Sequence, residues 1–206
     1  MQLLANTTSP FVRIARTAMI EKGIDIEPTL VDPWADDARL RAANTATRVP
    51  TLVLDDGTPL AECLLIVQWL ELARPAPGWP SLVGQGVVVA GILSRTGVAI
   101  GAIEASTITI ITRKVTAPVL FDETPVGLRR RRSMAEGMQR LEAQAGAIAA
   151  SGTPLLDAIA AVTLYDYQQM RFGDQPWLPA TPRLKALAQA WNDRTSFART
   201  KPYTPS

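Results

Sequence analysis

The chain has 206 residues, 47% of them apolar, and a formal net charge of +2. This length and apolar content suffice for one large or two small domains with a sizeable core, and the near-neutral charge does not favour nucleic acid or an anionic membrane as a partner. Histidine is absent and Cys63 is the single cysteine, which excludes Ser-His and Cys-His catalysis, most zinc sites and an intrachain disulfide.

The first part of the chain alternates strand and helix patterns, which is typical of an α/β unit. Residues 48–63 are interpreted as strand, tight turn, strand and helix start, because an Asp-Gly pair between two apolar runs predicts a hairpin. Gly23 stands where the first helix should end. The predicted elements are a strand at 2–5, a helix at 10–22, a strand near 26–31, a short helix near 36–43, the hairpin and a helix at 63–73.

The second part of the chain is predicted to be all-helical. Three prolines and a glycine in residues 74–80 break regular structure and indicate a linker. Charged residues interrupt the first long helix, so its longest uncharged run is shorter than the roughly 18 residues of a membrane span. The predicted helices cover 84–114, 126–150, 153–170 and 181–197, with Thr153-Pro154 and Thr181-Pro182 as caps and first turns.

Ser9 and Pro10 open the first predicted helix. A serine before a proline suits an N-cap followed by the first helical residue, because proline has no N–H to leave unpaired. The free N–H groups and the positive end of the helix dipole favour a thiolate or a carboxylate there. On its own, however, such a dipeptide is usually only a cap.

Two further motifs sharpen this interpretation: Val49-Pro50, which enters a strand, and the acidic-plus-small pair Glu62-Cys63, which opens the next helix. With the run Ser9 to Arg13, in this order and spacing, the chain resembles the soluble glutathione S-transferase family, of the bacterial type with serine at the active-site position. The resemblance extends over nearly the whole chain. It implies an α/β plus all-α fold, with a thioredoxin-like, glutathione-binding domain at 1–74, a linker at 75–80 and a C-terminal helical bundle domain at 81–206.

The resemblance implies a catalytic role for Ser9. An ordinary thiol is mostly protonated at neutral pH, and only its thiolate is a good nucleophile. A hydroxyl that donates to the sulfur of glutathione at a helix N-terminus would favour the thiolate. Thr7 and Thr8 are adjacent hydroxyls and stay open as alternative donors.

The resemblance also implies a glutathione-binding set. Its cis-proline, Pro50, would turn the backbone of Val49 towards the cysteinyl part of the tripeptide, and Glu62 would hold the ammonium group of the ligand. Arg48 either reaches a ligand carboxylate or is a solvated surface cation, and Cys63 is either a reactive thiol at a helix start or a small buried residue. The set comprises Phe11, Arg48, Val49, Pro50, Glu62 and Cys63.

The sequence thus favours a cytoplasmic, homodimeric glutathione transferase that attacks or isomerises a small electrophile, with glutathione as cosubstrate and no metal. The strand-like start is too short for the apolar core of a signal peptide. The alternative is a transferase-fold interaction module without efficient catalysis. A glutathione-dependent reductase is a third hypothesis, weakened because Ser9 lacks the thiol that forms a mixed disulfide. Asp157 matches an aspartate that supports a helix start in the family, and we expect a structural role for it.

Overall fold

The computed structural model describes residues 1–118 and 120–203. The chain forms two compact units: Met1–Leu82 together with the residues from Arg194 onward, and Val83–Asp193. The predicted boundary assigned the residues from Arg194 onward to the helical domain. The structure packs them on the first unit instead, because Arg194 donates to both carboxylate oxygens of Glu21, at 2.6 and 2.8 Å.

The first unit is a four-stranded sheet with helices, as predicted. The strand order is β2-β1-β3-β4, in which β1 and β2 are parallel and the other neighbours are antiparallel. Helix α1 packs against α3. The elements are β1 (Gln2–Ala5), α1 (Pro10–Glu21), β2 (Thr29–Leu30), α2 (Ala38–Ala43), β3 (Thr51–Val53), β4 (Pro59–Ala61) and α3 (Cys63–Ala73).

The predicted bounds of α3 are confirmed, whereas β2 and α2 are shorter than predicted. Only Thr29 and Leu30 pair with β1 in the stretch that was expected to form the second strand. Helix α2 begins at Ala38 because the carboxylate of Asp37 accepts hydrogen bonds from the N–H groups of Arg39 and Leu40.

A buried cation links α1 to α3 in the first unit. Lys22 is the C-cap of α1, its side chain is 0% exposed, and its Nζ lies 2.7 Å from Oε1 of Glu71 on α3. Glu71 also accepts hydrogen bonds from Ser81 Oγ and Leu82 N, both at 2.9 Å. One carboxylate therefore joins α1, α3 and the segment after the predicted linker. The next residue, Gly23, has φ +71°, as expected of a residue that ends a helix.

The second unit is a helical bundle. Its helices are α4 (Val89–Thr116), α5 (Pro125–Ala149), α6 (Leu156–Phe172) and α7 (Pro182–Asn192), with α4 packed on α5 and α6. The short α8 (Thr195–Ala198) belongs to the first unit. By length and composition, the segment Gly86–Thr116 is also apolar enough to cross a membrane, and 28% of its apolar 18-residue window is buried. Core helices of soluble proteins meet the same criteria.

The starts of α6 and α7 differ from the predicted caps. Helix α6 begins at Leu156, so Thr153 and Pro154 precede it, and Thr181 makes no side-chain hydrogen bond to the start of α7. The start of α7 is capped by a residue that is distant in sequence. The carboxylate of Glu142 on α5 accepts hydrogen bonds from the N–H groups of Arg183 and Leu184, both at 2.9 Å. A carboxylate on another helix thus replaces the predicted local cap of α7.

Asp157 has the structural role that was expected of it. Its side chain is 1% exposed, and it accepts hydrogen bonds from Ala158 N at 2.9 Å and from Arg95 Nε at 2.7 Å. Burial raises the pKa of Asp157, while the hydrogen bond and charge of Arg95 oppose that rise. The aspartate therefore ties the first turn of α6 to α4.

Candidate active site

Ser9 is the N-cap of α1, as predicted. Its Oγ accepts a hydrogen bond from the N–H of Val12 at 3.3 Å, and Pro10 follows as the first helical residue. The hydroxyl hydrogen of Ser9 is not used in this contact, because the oxygen is the acceptor. The residue is partly exposed, so its O–H can donate to a group that reaches the start of α1.

The loop before Ser9 is held by its own side chains and by the C-terminal segment. Asn6 Oδ1 accepts the backbone N–H of Ser9 at 2.9 Å, and the carbonyl of Thr7 accepts the N–H of Tyr203 at 3.4 Å. Thr7 and Thr8, the alternative hydroxyl donors, are partly exposed like Ser9. Three hydroxyls therefore lie side by side where β1 meets α1.

The Val49–Pro50 peptide bond is cis, as the resemblance implied. Side-chain contacts support the loop before it: Asn44 Nδ2 donates to the carbonyl of Arg48 at 3.2 Å and to Thr51 Oγ1 at 3.1 Å. Among the described residues, the N–H and C=O of Val49 have no hydrogen-bond partner. This stretch of backbone is available to pair with an extended ligand.

Glu62 is the N-cap of α3 and has φ +69°, a rare value for a residue with a side chain. Its carboxylate makes no cap hydrogen bond and instead lies 3.6 Å from Arg48 NH1, in a pair whose side chains are 55% and 70% exposed. The first N–H groups of α3 are therefore left without a side-chain cap. Backbone strain of this kind is found preferentially at functional sites.

The sheet register brings these three segments to the same end of the sheet. Thr51 pairs with Leu4 of β1 on one side and with Ala61 of β4 on the other. The loop after β1, the cis-proline before β3 and Glu62 after β4 consequently leave the sheet at the same end. The structure thus groups Ser9, Pro50 and Glu62, which are far apart in the sequence, around two helix starts.

Comparisons with known proteins bear directly on this arrangement. The model of the glutathione S-transferase N-terminal domain family matches residues 8–73. The uncharacterized GST-like protein YibF of Escherichia coli (strain K12) is 27% identical over 203 residues, which are 98% of each chain. The crystal structure of a glutathione S-transferase from Methylobacterium radiotolerans, in complex with glutathione sulfonate, has a TM-score of 0.85 and 27% identity, and the match covers 100% of this chain and 96% of that one.

The chain is thus similar to glutathione S-transferases over its whole length, and residues 8–73 match the N-terminal domain of that family. A second similar fold is a glutathione S-transferase from Methylobacillus flagellatus with glutathione bound, with a TM-score of 0.85, 24% identity and coverage of 98% of this chain and 99% of that one. The predicted fold class, a thioredoxin-like domain followed by a helical one, is thereby confirmed. Among the described residues, no group of three acidic, cysteine or histidine side chains is suited to a metal ion.

Of the two alternatives for Cys63, a reactive thiol or a small buried residue, the structure supports the second. Its side chain is 4% exposed, and burial, with the charge of Glu62, raises the pKa of the Cys63 thiol to about 12. The helix start does not overcome these effects, so the thiol stays protonated at neutral pH. A contact with a ligand at this position would use the backbone N–H.

The burial and raised pKa of the Cys63 thiol predict that it is alkylated slowly in the folded protein. At pH 8 we expect iodoacetamide to react with the native thiol at least about a hundredfold more slowly than with the unfolded chain, because only the thiolate reacts and little of it forms. Mass spectrometry of timed samples, with and without denaturant, measures both rates. Equal rates would contradict the burial of this thiol.

Sequence reasoning missed Asn6. Its signal is local: an asparagine three residues before the N-cap serine, at a position where its carbonyl reaches a backbone N–H. Three aromatic residues differ in their surroundings: Phe172 packs against Trp177 with ring centroids 5.4 Å apart, Tyr167 is buried, and Trp34 is 64% exposed.

Proposed function

We propose that the protein is a glutathione transferase in which Ser9 stabilises the thiolate of bound glutathione. The observation that carries this proposal is the cap geometry: Ser9 Oγ accepts from Val12 N, which leaves its O–H as a donor at the positive end of α1. Hydrogen bonds to a charged form favour that form. The thiol proton then goes to solvent.

Glutathione, the cosubstrate, supplies the nucleophile of the proposed reaction. The thiolate sulfur attacks an electrophilic carbon of a small substrate, a C–S bond forms, and the leaving group departs with its electron pair. With an activated double bond, the same attack followed by loss of the sulfur gives isomerisation. Neither route needs a histidine or a metal ion.

The proposed glutathione contacts use the other two segments. The free N–H and C=O of Val49 next to Pro50 are suited to pair with the cysteinyl backbone as an added strand. The uncapped start of α3 is suited to the α-carboxylate of the γ-glutamyl group through the N–H of Cys63. Glu62 would hold the ammonium group, and Arg48 beside it and Phe11 on α1 would contact the ligand.

A glutathione titration with a matched pair of variants tests this site. We expect isothermal titration calorimetry to give a dissociation constant in the micromolar to low millimolar range for the wild-type protein and at least about tenfold weaker binding for Glu62→Ala, because a charged hydrogen bond to the ammonium is lost. Glu136→Ala is the control, since Glu136 forms a similarly exposed pair with Arg132 on α5.

The control should bind glutathione like the wild-type protein. Absence of binding to the wild-type protein would contradict the transferase and favour the alternative, an interaction module on the same fold. Equal binding by all three proteins would contradict the proposed contact between Glu62 and the ammonium group of glutathione.

We further propose a cytoplasmic homodimer that joins through the open side of α4. Leu93 is 48% exposed there, and a Cβ added at Gly97 or Gly101 would meet open space. Glycine costs about 1 kcal/mol relative to alanine in a helix, so two glycines on an apolar open side favour close approach by another helix. The cytoplasm supplies the reduced glutathione that the reaction needs.

Light scattering after size-exclusion chromatography measures the assembly. We expect a dimer for the wild-type protein and a monomer, or a concentration-dependent mixture, for Leu93→Glu. Leu128→Glu on α5 is the control, because Leu128 is 47% exposed and the change is chemically the same. A monomeric wild-type protein, or loss of the dimer in the control alone, would contradict this interface.

A further inference from the structure

Asn6 lies in the loop between β1 and α1 and is hydrogen-bonded to the N-cap residue of α1. Its Oδ1 accepts the backbone N–H of Ser9 at 2.9 Å. A backbone N–H can only donate, so the atom that faces it must be the amide oxygen, and this fixes which branch of the carboxamide carries the nitrogen. The turn also fixes the backbone of Ser9 in the extended conformation, φ −71° and ψ 122°, that an N-cap requires.

The amide nitrogen of Asn6 is left with two donors. No hydrogen bond from Asn6 Nδ2 to any other described residue is present. The side chain is partly exposed, so bound ligand can reach these N–H groups. An anchored amide with free donors, three residues before the cap, is pre-positioned for an acceptor.

The start of α1 is short of other donors. Pro10 has no N–H, and the N–H of Val12 is already bonded to Ser9 Oγ. Among the described residues, only the N–H of Phe11 is free in the first turn, where a helix leaves four N–H groups without an intrahelical partner. A thiolate there would have the Ser9 hydroxyl and one backbone N–H, fewer donors than strongly stabilised anions usually accept.

We propose that Asn6 both positions Ser9 and donates a second side-chain hydrogen bond to the thiolate of bound glutathione. The oxygen end of the amide holds the cap in place, and the nitrogen end contacts the sulfur. This inference rests on the proposed function and deepens it, because it adds a neutral donor that lies outside the Ser-Pro motif. It makes the anion site a pair of side chains, Asn6 and Ser9.

Two substitutions separate the two ends of the amide. Asn6→Asp keeps an oxygen that accepts the Ser9 N–H but replaces the donor with an anionic oxygen. Asn6→Ser keeps a short, neutral acceptor and also removes the amide donor. A role limited to holding the turn predicts little change in Asn6→Ser, whereas a donor role predicts an effect in both variants.

The readout is the pKa of the glutathione thiol in the binary complex, from the ultraviolet absorbance of the thiolate as a function of pH, with no electrophile present. We expect Asn6→Ser to raise this pKa by about one unit, which is the effect of a lost hydrogen bond to a charged group. Asn6→Asp should raise it further, because a negative charge then faces the sulfur. Calorimetry confirms that each variant is saturated with glutathione.

The possible outcomes are distinct. An unchanged pKa in Asn6→Ser overturns the donor role, even if Asn6→Asp raises the pKa, because the new charge alone would explain that rise. A wild-type protein that does not bind glutathione, or binds it with an unshifted thiol, overturns the proposed function and this inference with it. A lowered pKa in the wild-type complex that is unchanged in both variants overturns the inference alone.

Discussion

Replacing Ser9 with alanine is expected to leave glutathione bound, to raise the pKa of its thiol by about one to two units and to lower turnover at neutral pH by about ten- to a hundredfold. The hydroxyl is lost from the start of α1, where it accepts from Val12 N and leaves its O–H free to donate to sulfur. The binding contacts proposed at Val49 and Glu62 are unchanged, so the effect falls on reactivity.

Three control variants isolate the role of the hydroxyl. Thr124→Ala removes an equivalent N-cap, since Thr124 Oγ1 accepts from Gly127 N at 3.0 Å at the start of α5. It should cost about 1 kcal/mol of stability, as Ser9→Ala should, without changing turnover. Thr7→Ala and Thr8→Ala test the neighbouring hydroxyls. Undiminished activity in Ser9→Ala, with a loss in either threonine variant, would transfer the role to that threonine.

Replacing Lys22 with methionine is expected to lower the free energy of unfolding by about 3 to 5 kcal/mol. Methionine fills nearly the same volume, so the loss comes from charge and hydrogen bonding. The substitution removes the cation that lies 2.7 Å from Glu71 and the donor to the carbonyl of Arg74 at 2.9 Å. Glu71, which is 19% exposed, then keeps only the donors from Ser81 and Leu82.

Urea denaturation followed by circular dichroism measures this loss. Arg132→Met is the control, because it breaks an exposed pair with Glu136, 68% exposed on each side, and should change stability by less than about 1 kcal/mol. Equal losses in Lys22→Met and the control would contradict a stabilising role for the buried pair.

The parts of the fold that local patterns determine could be predicted from the sequence. The start and end of α3 and the glycine after α1 follow from apolar spacing and from turn chemistry. The cis bond before Pro50 is different, since only about 5–6% of such bonds are cis in folded proteins. It was implied by the resemblance to a family and not by the local pattern.

The features that sequence reasoning missed depend on distant partners. The donors at the start of α7 are satisfied by Glu142, about forty positions earlier, so no local cap was needed. The return of Arg194 to Glu21 likewise joins residues from opposite ends of the chain. A single sequence gives the chemistry of such groups but not which of them meet.

The most direct test of the account is the pKa of the glutathione thiol bound to the wild-type protein, from the thiolate absorbance across a pH titration. Free thiols titrate near pH 8.5, and we expect the bound thiol to titrate at least about one unit lower, because the donors at the start of α1 favour the anion. A bound thiol with an unshifted pKa would contradict the claim that this site activates glutathione.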